Sequence, residues 1–460
     1  MQTLELPEVD VLCLFGLPNS REECLRLRQW LDGGTRRLLI AEEQEDRWRG
    51  FPEIEDAILL INDRRIQRYF LEGPIQRRLA AEQIAWRTAL SRAAFMPVAG
   101  FWDEVEELRA AAELSLSDAA DWGTTVFTNM LAHRGRIKNG LALRDALKGV
   151  PAILCGAGPS LERNGALLRS YGERALIMAG GQAVPILQRW GCVPHLAASL
   201  DPRTPPEQFG AQLFWETPLL FQRRMNGENG TFQQGEKILF PDHHFPFEAH
   251  LSGFDGLWEG GWTVGTFLLS AALWMGCDPI IWVGMDCAVP DGQKYAGSEA
   301  RDQEPQQDFW MAARWMEALS RANPDHRWIN ATEGGVSFSD SIHTCKLEEA
   351  MAECSQMRDI AGLLHQAIQL LPGVSSMEER LSAWSESLAR CAQELNPEED
   401  AYRLLLEPMW RIWAPIFLRA AEVDTHAIPL EQKMRLHKML FFQQMIQDHQ
   451  SCMHTFPMDS

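Results

Sequence analysis

Three kinds of hydrophobic spacing follow one another along the chain. Over residues 1–100 short apolar runs alternate with amphipathic stretches. The run "VDVLCLFGLP" predicts a strand that ends at Gly16. Ser20 and Glu23 have the spacing of a capping box and open a helix to about Asp32. "RRLLIAEE", "AILLI" and "FMPVAGF" predict three more strands. Strands alternating with helices point to parallel βαβ winding, here a small Rossmann-like α/β domain. Glu42 closes the second strand, where dinucleotide-binding folds place a ribose acid. The turn after the first strand is F-G-L-P, however, not G-x-G-x-x-G, so a scaffolding domain is the expectation. Residues 101–149 read as a helical linker, most clearly at "EVEELRAAAEL".

The second pattern fills residues 150–345. "PAILCGAG", "RALIMAGGQ", "PHLAASLDP", "DPIIWVGMD" and "HRWINAT" predict strands, several of them ending in glycine or aspartate. Helices are predicted from Ser160 through Leu168, over "AVPILQRWG", over "TVGTFLLSAALWMG" and over "FWMAARWMEALSRA". Open α/β sheets bind ligands at the carboxyl ends of their strands. The fold class is therefore α/β, with a Rossmann-like central domain.

From Lys346 to residue 460 strand signals stop. Leu347, Met351, Cys354, Ala361, Leu364, Ile368 and Leu371 fall three or four apart, and a Pro-Gly pair ends that helix. Ser375 and Glu378 box the next, whose apolar face is Met377, Leu381, Trp384, Leu388, Cys391 and Leu395. Two further helices, around 397–420 and 428–450, complete a C-terminal helical bundle. Trp410, Trp413, Phe417, Phe441 and Phe442 read as its core.

Charge and cysteine usage narrow the function. A formal net charge of -20 argues against general nucleic-acid binding, which needs a basic footprint. The 10 cysteines stand singly, with no C-x-x-C, and read as buried hydrophobes in a reducing compartment. The amino terminus lacks a basic n-region, and Asp278 and Pro279 break the longest apolar stretch. A cytoplasmic protein without membrane insertion is the expectation.

Candidate chemistry clusters at strand ends. In Gly156-Ala157-Gly158-Pro159-Ser160 a strand feeds a glycine turn and a helix, so backbone N–H groups and the helix N-terminus could face an anion. No lysine follows, so this is not a Walker A loop. A second glycine turn brings Thr263, Gly265 and Thr266 to the mouth of another helix. Asp201 and Asp286 each end a strand, while His243 and His244 read as loop residues and Asp291-Gly292 as a turn. No metal-ligand cluster stands out.

Taken together these segments resemble a known family. "VPAILCGAGPSLERN", "GCVPHLAASLDP", "GGWTVGTFLLSAALWMGCDPIIWVGMDCAVPDGQKYAG" and "NATEGG" are similar to the motility accessory factor (Maf) glycosyltransferases. Those share their central region with the MptE-like 6-hydroxymethylpterin diphosphokinases. "VFTNMLAHRGRI" resembles the family's lead-in to the first central strand. The glycine turn and the segment ending at Asp286 also resemble motifs of the family 42 sialyltransferases. The resemblance implies a CMP-activated nonulosonic acid as donor and a protein hydroxyl, as on flagellin, as acceptor. It implies that Gly156, Gly158, Pro159 and Ser160 hold the nucleotide opposite Thr263, Gly265 and Thr266. Asp286 would then lie near the sugar, with Asp201 or Asp286 as the base.

The chain departs from these families in places. "GSEARDQEPQQDF" holds no histidine where a sialyltransferase has its base, leaving His326 and His343 beyond it. Gly180-Gly181-Gln182 replaces an Asp-Thr-Ala found in many accessory factors. Two alternatives follow from these departures. One is an ATP- and Mg-dependent diphosphokinase in which Asp201 and Asp286 hold the metal. The other is a nucleotide-binding scaffold without catalysis. No cofactor is expected for sugar transfer, and magnesium only in the diphosphokinase reading.

Overall fold

The computed structural model describes residues 11–15, 21–31, 37–41, 58–60, 84–88, 118, 121–133, 136–209, 215–241, 250–251, 258–288, 295–297, 307–374, 377–394 and 430–455. The chain divides into two compact units. One comprises residues 1–121 and 396–442, the other residues 122–395 and 443–460.

In the first unit β1 (Val11–Phe15), β2 (Arg37–Ala41), β3 (Ile58–Leu60) and β4 (Ile84–Thr88) form a parallel sheet in the order β3-β2-β1-β4. Between β1 and β2, α1 (Arg21–Leu31) buries Cys24, Leu27 and Trp30, the i, i+3, i+6 spacing of one helix face. The first three strands lie where the apolar runs placed them. The fourth described strand is Ile84–Thr88. "FMPVAGF" lies outside the described residues, as do Ser20, Glu42, "EVEELRAAAEL", the helix expected at 397–420, Trp410, Trp413 and Phe417.

The second unit is built on a nine-stranded, wholly parallel sheet. Its strands are β5 (Lys138–Asn139), β6 (Ala152–Cys155), β7 (Leu176–Gly180), β8 (Leu196–Ser199), β9 (Leu219–Phe221), β10 (Lys237–Leu239), β11 (Ile280–Val283), β12 (Trp328–Asn330) and β13 (His343–Thr344). The order is β13-β12-β11-β6-β7-β8-β9-β10-β5. The five strands predicted in this region are all present. Four more were missed because they are two or three residues long: β5, β9, β10 and β13. The first of these interrupts the stretch expected to be a helical linker. Its helical part spans residues 121–132.

Both faces of the sheet are buried, and alternate residues of each strand serve opposite faces. Ile153, Ile177, Ala197 and Ile281 meet α2 (Leu161–Leu168), α3 (Ala183–Gln188) and α7 (Leu347–Glu353) in one core. Leu154, Met178, Leu196 and Trp282 belong to the other, with α5 (Val264–Trp274), α6 (Gln307–Ala322) and α8 (Ile360–Gln369). Helices α7 and α8, which follow Lys346, thus complete the two faces of this sheet. Residues 354–359 separate them, and on α8 it is Ile360, not Ala361, that is buried beside Leu364 and Ile368.

On α9 (Glu378–Glu394) the predicted face holds: Met377, Leu381, Trp384, Leu388 and Cys391 are all buried. Its Trp384 Nε1–H donates to His449 Nδ1 on α10 (Leu430–Thr455), 3.2 Å away. The His449 ring stacks 4.1 Å from Phe127. All nine described cysteines whose surroundings are resolved are free thiols. Among the described residues no helix is long and apolar enough to cross a membrane.

Two buried histidines make this unit acid-sensitive. Burial pushes His449 down to about 3 and His133, just after the helix over residues 121–132, down to about 4. Both stay neutral in the folded state after their unfolded counterparts have charged near 6.5. The unfolded chain then binds more protons, so stability is full above about pH 6.5 and falls as pH drops toward 4. Urea midpoints measured from pH 7 to pH 4 should fall steadily. His449→Gln should reduce that slope by about 1.4 kcal/mol per pH unit.

Candidate functional site

The strand order reverses between β6 and β11. From β6 the chain winds outward through β7, β8, β9 and β10, then returns to place β11 on the other flank of β6. Such a switch point opens a crevice at the carboxyl ends of the strands. Gly156–Ser160 leave β6 there, and Gly284–Asp286 leave β11.

These two strand ends pass in van der Waals contact. A Cβ on Gly284 would stand 2.5 Å from Gly156 O and 2.8 Å from Leu161 Cβ, and Gly284 has φ +65°. A Cβ on Gly158 would collide with Asp286 Oδ2. The glycines are therefore required by the crossing itself. The turn's amides have partners within the chain. Gly156 N–H donates to Val283 O (2.9 Å), Gly158 N–H to Gly284 O (2.8 Å) and Ser160 N–H to Asp286 Oδ2 (3.3 Å). The Ser160 hydroxyl donates to the same Asp286 oxygen at 2.8 Å. The Asp286 carboxylate thus lies at the start of α2, beside the turn whose amides the sequence suggested could face an anion. Pro159 opens the turn into α2, its missing N–H costing nothing there.

Asp286 is only 3% exposed. Gly334 and Gly335 close over it, and Val336 N–H donates to its main-chain oxygen at 2.9 Å. Helix α2 holds this cover down. Asn164 Nδ2 donates to Ala331 O at 2.9 Å, and Arg163 donates to Glu333 O. Burial raises the Asp286 pKa, while the two Ser160 hydrogen bonds and the Arg163 charge oppose the rise. This buried carboxylate ties two strand ends together.

Thr263, Gly265 and Thr266 lie at the start of α5, where Thr266 is buried. Thr263 caps α5 in a reciprocal box. Thr266 N–H donates to Thr263 Oγ1 (3.2 Å), and Thr263 N–H to Thr266 Oγ1 (2.9 Å). Gly265 has room for a Cβ only 3.3 Å from Met285 Sδ, and Gly180 at the end of β7 lets Val264 close against it. The start of α5 therefore sits beside the switch point, joined to it through Met285.

Asp201 stands apart from Asp286. Their strands, β8 and β11, are separated by β7 and β6, so three steps of about 4.8 Å put the strand ends about 14 Å apart. The Asp201 side chain is 46% exposed and caps its own turn, accepting from Arg203 N–H (2.7 Å) and Thr204 N–H (3.2 Å). Arg203 lies 4.2 Å over the Trp122 ring. His326 precedes β12 and His343 opens the edge strand β13, so neither is at the carboxyl end of a central strand. The structure does not bring them to the crevice. His243, His244, Asp291 and Gly292 lie outside the described residues. Among the described residues no three His, Cys, Asp or Glu side chains could share a metal ion.

Sequence reasoning missed the cover over Asp286 and the link from Ser160 to Asp286. "NATEGG" signals the first through its two glycines, but the pairing of residues 126 positions apart leaves no local trace. Ser160→Ala should cost about 1–3 kcal/mol at pH 7, because it leaves a buried carboxylate short of a donor. With that restraint gone the Asp286 pKa rises further. An aspartate raised in the folded state is least favourable when ionised, so the loss should shrink as pH falls through its folded pKa. Urea titrations at pH 7 and pH 4.5 read the difference.

Comparison with known proteins agrees with this architecture. Residues 129–292 match the family described as 6-hydroxymethylpterin diphosphokinase MptE-like. A Maf glycosyltransferase from Magnetospirillum magneticum AMB-1 superimposes with a TM-score of 0.55 at 14% identity, over 97% of this chain and 78% of that one. No curated protein matches the chain. Residues 129–292 thus resemble the MptE-like family, within a chain whose fold is similar to that of a Maf glycosyltransferase.

Proposed function

We propose that the protein transfers a nonulosonic, sialic-acid-like sugar from a CMP-activated donor to a serine or threonine hydroxyl of a protein such as flagellin. One observation carries this reading. The likeness to the Maf glycosyltransferase runs through 97% of the chain, whereas the MptE-like match ends at residue 292. A function that belongs to the whole chain fits sugar transfer better than a compact pterin kinase.

In this reading the bond from the anomeric carbon to the phosphate breaks, and CMP leaves with its electron pair. The acceptor oxygen then bonds to the anomeric carbon and gives up its proton. The phosphate meets the start of α5, where the amides of Val264 and Gly265 and the helix dipole favour negative charge. Asp201 takes the acceptor's proton in this reading, which its half-exposed carboxylate just beyond the end of β8 supports. Gly156, Gly158, Pro159, Ser160 and Asp286 set the width and rigidity of the crevice floor.

The diphosphokinase reading rests on the description of the matched family. It requires Asp201 and Asp286 on one magnesium ion, whose ligands stand about 2.1 Å from the metal. Strand ends about 14 Å apart do not suit such sharing.

Nucleotide-dependent stabilisation separates the readings. CMP at about 100 times its Kd should stabilise the protein by about 2.7 kcal/mol, seen as a rise in Tm. Stabilisation by Mg-ATP with none from CMP or CDP would overturn sugar transfer in favour of the kinase.

A further inference from the structure

We propose that Asn129 is a positioning residue for the crevice, holding the turns after β8 and β9 so that Asp201 and Arg203 are presented in fixed places. The inference rests on the sugar-transfer reading for what the turns recognise, but not for the claim that Asn129 holds them. Asn129 lies in "VFTNMLAHRGRI", a segment to which the glycine turns and strand-end acids give no role. It sits on the helix over residues 121–132, is 7% exposed, and uses both ends of its amide.

Its Nδ2 donates to Pro202 O at 3.1 Å and to Arg224 O at 2.9 Å, and its Oδ1 accepts from Gly227 N–H at 3.0 Å. One side chain thus joins the Asp201 turn, the turn after β9 and the start of α4 (Gly227–Phe232). Asparagine suits this place because it offers two donors and an acceptor in one plane. Close packing fixes the distance: a Cβ on Gly227 would stand 2.6 Å from Ala132 Cβ, on the same helix as Asn129.

Further bonds lock the two turns to each other. Asn226 N–H donates to Asp201 O at 3.0 Å, and Asn229 Nδ2 donates to Thr204 O at 3.0 Å. The helix that carries Asn129 also supplies Trp122, the platform beneath the Arg203 guanidinium. The 201–204 turn therefore carries a half-exposed carboxylate and guanidinium, paired with each other at 4.0 Å, on a backbone whose carbonyls at 201, 202 and 204 are all bound. Loops that hold binding groups on a rigid scaffold have this form. In sugar transfer the carboxylate receives the acceptor's proton, and the guanidinium meets an anionic group of the donor.

Asn129→Asp tests this. The aspartate keeps the acceptor for Gly227 N–H and loses both donations. Hydrogen exchange on the full chain should quicken tenfold or more at residues 203–204 and 224–227 and stay unchanged in β6 and β7. With CMP-N-acetylneuraminate as probe, kcat should fall tenfold or more, through Asp201, and KM should rise tenfold or more, through Arg203. Unchanged exchange in the two turns overturns the proposal. So do loosened turns with an unchanged KM, since Asn129 would then serve stability alone. A wild-type protein that neither binds CMP nor turns the probe over would sink the sugar-transfer reading. The exchange pattern would still decide whether Asn129 holds the turns.

Discussion

Two strand ends cross at the middle of the large sheet, and the site depends on how closely they do so. Gly156 and Gly284 remove the side chains that would keep β6 and β11 apart. Asp286 then reaches across, and its carboxylate takes both donors of Ser160. The helix dipole of α2, the Ser160 hydroxyl and the buried charge of Asp286 compensate one another at one point. Removing the Ser160 hydroxyl leaves the buried carboxylate with only the weaker, 3.3 Å bond from the Ser160 N–H.

That arrangement redistributes the roles expected of the glycine turn. A strand-glycine-helix sequence reads as an anion cradle because its amides have no obvious partner in the sequence. Here the partner is β11, more than a hundred residues later, and it brings its own anion. The start of α5, where the Thr263–Thr266 box defines the cap, is the wall to which the sugar-transfer proposal assigns the phosphate. The turn after β8, tied down by three asparagines, supplies the exposed charges. The floor of the crevice is closely packed, and the proposed recognition chemistry falls on the flanking walls.

Much of this was legible in the residues. Long apolar runs bounded by glycine, such as "PAILCGAG" and "DPIIWVGMD", gave true strands because both faces of a parallel sheet are buried. Strands such as β9 and β10, three residues each, are too short to leave a period. The face of α9 was readable from Met377 to Cys391, since an amphipathic period is a local property. By contrast, which partner binds the Ser160 hydroxyl, and which histidines stand at the wrong end of a strand, depend on topology. Strand order is set by long-range packing and has no signature in any window of sequence.

The return of β11 to the flank of β6 also shapes how the protein is made. Between Cys155, which ends β6, and Ile280, which opens β11, lie about 125 residues. At about 5–20 residues per second, a ribosome needs roughly 6–25 s to cover that distance. Throughout that interval β6 has its neighbour β7 on one side and an open hydrogen-bonding edge on the other. The nascent chain therefore carries an unpaired, fully apolar strand edge for far longer than a hairpin or a local βαβ unit would. Its safe passage is a problem of cellular timing and chaperone cover, set by the same topology that builds the crevice.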